Sequence, residues 1–182
     1  MKKIGIFGGT FNPIHNGHIK MAEAARRQFR LNVVYFIPCG IPPHRTEKLY
    51  PAKLRYKWVK EAIKRKKYFK VLDIEIKKKR KAYTIDTVKE FKKYSALYFL
   101  IGQDEFSKLQ NWHKPSELVK LVTFLVLPRG GRGKPMCLPR IRNLKWKLVK
   151  TKPINISAEK IRERIKNKKS VKRLLPFDIR AY

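Results

Sequence analysis

The chain has 182 residues, 43% of them hydrophobic, and carries 46 Lys or Arg against 13 Asp or Glu, a formal net charge of +33. That length and apolar content suit a single domain over residues 1–182 with its own core and exclude a disordered chain. The two cysteines, Cys39 and Cys137, fit no Cys-x-x-Cys spacing, and no run approaches the roughly 20 apolar residues of a membrane span, so a cytoplasmic protein without zinc ribbon, redox motif or membrane contact is expected.

The first predicted strand, residues 3–7, holds Ile4-Gly5-Ile6-Phe7 and runs into Gly8-Gly9-Thr10-Phe11-Asn12-Pro13-Ile14-His15-Asn16-Gly17-His18. A helix over 17–29 follows, with Ile19, Ala22, Ala25 and Phe29 at helical spacing. Next come a strand over 32–38, the turn Pro42-Pro43-His44-Arg45, and a helix over 52–66 with Leu54, Trp58, Ala62 and Ile63 on one face. A strand over 70–76 precedes a helix over 84–94 carrying Ile85, Val88 and Phe91, and three more strands are expected over 97–101, 122–127 and 147–149. Strand alternating with helix predicts the α/β class: a Rossmann-like, doubly wound parallel sheet with helices on both faces. In such a sheet the ligand lies beyond the carboxyl ends of the strands, where residues 8–18, 43–45 and 102–104 fall.

The loop at residues 8–18 carries the chemistry. Paired glycines let the backbone approach a ligand closely, Asn-Pro makes a turn, and the following helix opens with N–H groups that lack internal acceptors, a natural phosphate site. His15 and His18 are spaced so that both imidazoles can meet one point and donate to phosphoryl oxygens whose charge changes during a transfer. A metal site is the competing reading of His-x-x-His, but no cysteine cluster or carboxylate of ligand spacing accompanies it.

The string Gly-Gly-Thr-Phe-Asn-Pro-x-His-x-Gly-His resembles the opening motif of bacterial nicotinate-nucleotide adenylyltransferases, members of the nucleotidylyltransferase superfamily marked by a His-x-Gly-His element, here His15-Asn16-Gly17-His18. Four more segments resemble that family in order: Pro42-Pro43-His44-Arg45, Tyr83-Thr84-Ile85-Asp86-Thr87, Ile101-Gly102-Gln103-Asp104 with Leu109 and Trp112, and Ile156-Ser157-Ala158-Glu159-Lys160-Ile161-Arg162. Glu159 departs from the pattern, which has Thr or Ser there, and a carboxylate beside a triphosphate would repel it.

The resemblance implies adenylyl transfer from ATP to nicotinate mononucleotide, with pyrophosphate leaving and Mg²⁺ accompanying ATP. It places His15 and His18 on the transferring phosphoryl group. Gly8, Gly9, Thr10 and Phe11, with Gly102, Asp104, Ser157, Ile161 and Arg162, would surround ATP, and His44, Arg45, Thr84 and Trp112 would hold the mononucleotide. His113 fits none of these motifs and reads as a surface residue. Rival readings are transfer to nicotinamide mononucleotide or another phosphorylated acceptor, and nucleic-acid binding on a Rossmann-like domain. Residues 140–182 hold 15 Lys or Arg against three acids, and a field of this sign attracts polyanions without sequence preference.

Overall fold

The structure is a computed structural model that describes residues 2–43, 49–78, 80–91, 96–128, 136–152 and 154–179. In chain order its elements are β1 (Lys3–Gly9), α1 (Asn16–Phe29), β2 (Val33–Pro38), α2 (Ala52–Ile63), β3 (Phe69–Val71), α3 (Ile74–Lys77), α4 (Thr84–Lys89), β4 (Ala96–Gly102), α5 (Gln103–Phe106), a 3₁₀ turn (Leu109–Asn111), α6 (Pro115–Leu121), β5 (Thr123–Leu127), β6 (Trp146–Leu148) and α7 (Ala158–Lys166). The six strands form one sheet in the order β3-β2-β1-β4-β5-β6. Every neighbouring pair is parallel, as the alternation of strand and helix predicts.

Both faces of the sheet are covered, which explains why the strands read as nearly unbroken apolar runs. Because side chains alternate along a strand, Leu125 and Leu127 of β5 join one core while Phe124 and Val126 join the other. The first core takes Ile19, Ala22 and Ala25 from α1 and Trp58, Val59 and Ala62 from α2. The second takes Ile85 and Val88 from α4 and Leu118 and Val119 from α6. The chain winds outward from β1 to β3, then returns to place β4 against the other side of β1. The loops after β1 and β4 therefore leave in opposite directions and open a crevice between them.

The strand expected over 70–76 is corrected. It ends at Val71, and Ile74–Lys77 closes a short helix instead. The alternation Ile74-Glu75-Ile76 resembles a strand, but a strand would have turned Glu75 away from its neighbours, whereas the helical turn buries it beside Thr87. The helix expected over 52–66 ends at Ile63, where a basic run begins, and the described helix at the 84–94 position ends at Lys89. Among the described residues, no helix is long and apolar enough to cross a membrane.

Candidate functional site

The loop after β1 is held from several sides. Phe11 adopts a left-handed backbone with φ of 45°, a conformation that strains a residue bearing a Cβ. Its ring offsets that strain by burial, standing 5.5 Å from Phe7 and 5.8 Å from Phe36, centre to centre. The Asn12 side-chain oxygen accepts from the Tyr50 N–H at 2.9 Å, and the Arg162 guanidinium donates to the Asn12 carbonyl at 2.9 Å. Residues 150 positions apart are thus tied at one loop.

At the end of that loop the two imidazoles stack, with centroids 3.7 Å apart and planes inclined by 26°. His15 is the residue before α1 and His18 lies in its first turn. The His15 N–H donates to His18 Nδ1 at 3.3 Å, so a neutral His18 carries its proton on Nε2 and presents a donor there. His15 Nδ1 is buried and has no hydrogen-bond partner among the described residues. Gly17 makes the stack feasible: a Cβ there would stand 2.9 Å from His15 Nδ1.

Burial lowers the pKa of His15 from 6.5 to about 4, and burial together with the neighbouring His15 holds His18 well below 6.5. Both rings are neutral donors at pH 7. Between pH 6.5 and 4 the unfolded chain binds more protons at His15 than the folded protein does, so acidification favours unfolding. The His15 contribution is fully present above pH 6.5, declines across that window and levels off near pH 4, a loss of about 3 kcal/mol. Urea unfolding at pH 7 and pH 4.5 checks this. His15→Asn, which cannot titrate, is expected to show a visibly shallower decline, and an equal decline would refute the assignment.

Beside the same loop lies a cavity of about 200 Å³. Gly8, Gly9 and Thr10 form one wall; Cys39, Pro42 and Pro43 follow from β2; Tyr83, Thr84 and Thr87 come from the start of α4; and Phe99, Gly102 and Trp112 come from β4 and beyond. Trp112 meets the Phe99 ring edge-on at 6.0 Å. A mostly apolar lining with a few polar groups is what an aromatic ring bearing one polar substituent requires. Of the expected residues, Gly8, Gly9, Thr10, Thr84, Gly102 and Trp112 line this cavity.

The others are placed differently. His15 and His18 pair at the end of the first loop, Arg162 reaches that loop at the Asn12 carbonyl, and Ser157 caps α7 by accepting from the Lys160 N–H at 3.2 Å. Asp104 is exposed in the first turn of α5. Phe11 and Ile161 have their side chains in the core, 2% and 0% exposed, so both can offer a ligand only main-chain atoms. Glu159 is exposed in the first turn of α7, where the helix dipole favours a carboxylate. His113, expected at the surface, is exposed but also lines the cavity, with its ring 4.3 Å from Tyr83. His44 and Arg45 lie outside the described residues.

Two further residues belong to the site. Arg55 is 1% exposed and donates to four main-chain carbonyls: Thr10 at 2.5 Å, Cys39 at 2.7 Å, Tyr50 at 2.9 Å and Gly40 at 3.2 Å. Burial pushes its pKa down from the ordinary value, with Cys39 acting in the opposite direction. This one guanidinium joins the loop after β1, the turn after β2 and the entry to α2. Glu75 lines the cavity, accepts from the Thr87 hydroxyl at 2.6 Å, and has its pKa raised by burial against the lowering effects of Thr87, Cys39 and Lys78. Gly40 permits that arrangement, because a Cβ there would stand 2.5 Å from the Glu75 carbonyl oxygen.

A cytidylyltransferase-like family model matches residues 6–164. The chain is 38% identical to a protein named probable nicotinate-nucleotide adenylyltransferase of Dehalococcoides mccartyi, over 99% of this chain and 93% of that one. A protein of the same name from Clostridium acetobutylicum is also 38% identical, over 98% and 94%. Among solved structures, a Plasmodium falciparum nicotinic acid mononucleotide adenylyltransferase complexed with NaAD superposes with a TM-score of 0.73 at 18% identity, covering 94% of this chain and 88% of the other. That likeness establishes the shared Rossmann-like fold.

Proposed function

This chain belongs to the cytidylyltransferase-like family and, within it, to the nicotinate-nucleotide adenylyltransferases, and from that premise we infer that it transfers the adenylyl group of ATP to nicotinate mononucleotide. A phosphate oxygen of the mononucleotide forms a bond to the α-phosphorus of ATP, the bond from that phosphorus to the β-phosphate bridge oxygen breaks, and pyrophosphate leaves with the electron pair. The product is nicotinate adenine dinucleotide. A phosphate monoester is largely dianionic at neutral pH, so no group on the protein has to remove a proton.

The observation that carries this reading is the stacked pair of neutral imidazoles on the loop whose glycines wall the cavity. Donors that strengthen as charge builds on the transferring oxygens lower the barrier; those that bind ground and transition states equally do not. We assign His15 and His18 to that role. Gly8, Gly9 and Thr10 with Ser157 and Arg162 take the ATP phosphates, and Gly102 and Asp104 the nucleoside. Thr84 and Trp112 take the pyridine end, with His44 and Arg45 assigned to the mononucleotide phosphate by resemblance. Among the described residues no group of three His, Cys, Asp or Glu is arranged to hold a metal ion. We assign Mg²⁺ to ATP itself, held by phosphate oxygens and water. We propose a cytoplasmic setting for the reaction.

A nicotinate carboxylate is favoured over a neutral amide by the net charge of +33 and by the main-chain N–H groups that open α4 at Thr84. Turnover with nicotinate mononucleotide and nicotinamide mononucleotide, compared at equal concentration, tests the acceptor: the acid is expected to give the higher kcat/KM, and a preference for the amide overturns it. In the same assay Trp112→Ala is expected to raise KM for the mononucleotide about tenfold, the worth of one lost ring stack. KM for ATP should stay within about twofold by the same argument, since stacking is a local contact. Equal losses for both substrates would remove Trp112 from the pyridine slot.

A further inference from the structure

A second concave surface lies at the opposite end of the sheet. It occupies about 330 Å³ between the C-terminal turn of α1 and the segment entering β3. Arg26, Arg27, Arg65 and Lys67 line it around Tyr68, together with a Glu23–Lys66 ion pair at 2.6 Å. Arg27 is nine residues beyond His18 along α1, about 14 Å at 1.5 Å per residue, and parallel strands put the start of β3 at the far end from the crevice. The groove therefore belongs to neither substrate of the adenylyl transfer.

Its composition specifies a ligand. Arg27, Arg65 and Lys67 are exposed, and among the described residues they make no ion pair, so their charge is available to phosphates. The Arg26 guanidinium is held 3.4 Å above the Tyr68 ring centre, and Tyr68 remains 43% exposed. Cations spread along an open groove around a partly exposed aromatic ring fit a chain of phosphates whose bases are free to stack. A duplex hides its bases and cannot use the ring; inorganic polyphosphate has none to offer it. We propose that this groove, formed by α1 and the entry to β3, binds single-stranded nucleic acid independently of the catalytic crevice.

The probe is a fluorescein-labelled 12-nucleotide RNA of mixed sequence, followed by anisotropy on the full chain. Engagement of four phosphates predicts that affinity falls about 50-fold between 50 and 200 mM salt. The charge reversal R27E/R65E/K67E is expected to lower affinity at least about tenfold and to flatten the salt dependence towards that of a single contact. Adenylyl transfer should remain at the wild-type rate, which also reports an intact fold. As a control, R140E/R142E/K145E removes the same charge from exposed positions ahead of β6, at the other edge of the sheet. Tyr68→Ala is expected to weaken RNA binding while leaving competition by inorganic polyphosphate unchanged. Equal loss from the control triple would mean that overall charge, rather than the groove, attracts the RNA. Undiminished RNA binding by Tyr68→Ala, or stronger binding of the matching duplex, would likewise overturn the proposal.

Discussion

His18→Ala is expected to lower turnover about 10²- to 10³-fold at saturating ATP and mononucleotide, the effect of deleting one preorganised donor from a water-poor site. The ring lies half-buried against Phe7 and Phe11, 5.9 and 5.2 Å away centre to centre, and accepts the His15 N–H. Its loss frees one main-chain donor and opens a small gap. Helix α1 keeps its own core contacts through Ile19, Ala22 and Ala25, so the far-ultraviolet circular dichroism should not change. Because His18 presents Nε2–H as a neutral ring, the loss should fall on kcat more than on either KM, as for an interaction that strengthens in the transition state. His18→Gln, which retains a donor at similar reach, should recover part of the rate. Near-native turnover by His18→Ala would remove the imidazole pair from the chemistry, and with it the reading of the whole loop.

The second large effect concerns Arg55, which touches neither substrate in the proposed arrangement. Arg55→Met keeps most of the volume and removes the donors to Thr10, Cys39, Gly40 and Tyr50. Hydrogen bonds from a charged donor contribute more than neutral ones, and buried carbonyls left without partners are costly, so unfolding free energy should fall by about 3 kcal/mol or more. Arg55→Lys should recover little, since one ammonium cannot span oxygens arranged for a planar fork. Both KM values are expected to rise together in the folded fraction, because the wall shared by the cavity and the histidine loop is loosened. Stability within about 0.5 kcal/mol of wild type, the range of an ordinary surface substitution, combined with unchanged KM values would refute this account.

The two residues differ sharply in how visible they are in sequence. His18 sits in an eleven-residue string where each neighbour has a local reason to be there: glycine for close approach, Asn-Pro for the turn, glycine again so that His15 can stack. The strands were legible for a similar reason, because burial on two faces writes itself as an apolar run. Arg55 is one of 46 basic residues; its spacing from Trp58 and Val59 puts it on the buried face of the helix, but no local pattern says what an inward guanidinium would bind there. Its role arises largely from three oxygens 15 to 45 residues away. Glu75 was concealed by a pattern that alternates like a strand, although its partner Thr87 stood in a string already singled out for Thr84. Phe11 and Ile161 show the reverse: residues inside a recognisable motif whose side chains serve packing.

Arg55 recognises only carbonyl oxygens, and every amino acid supplies one. The tie is therefore indifferent to which side chains decorate Thr10, Cys39, Gly40 and Tyr50, provided the backbone path is kept. Substrate preference can drift at those loops through mutation while the scaffold that aligns them is inherited unchanged, a division of labour that makes the crevice evolvable without first becoming unstable.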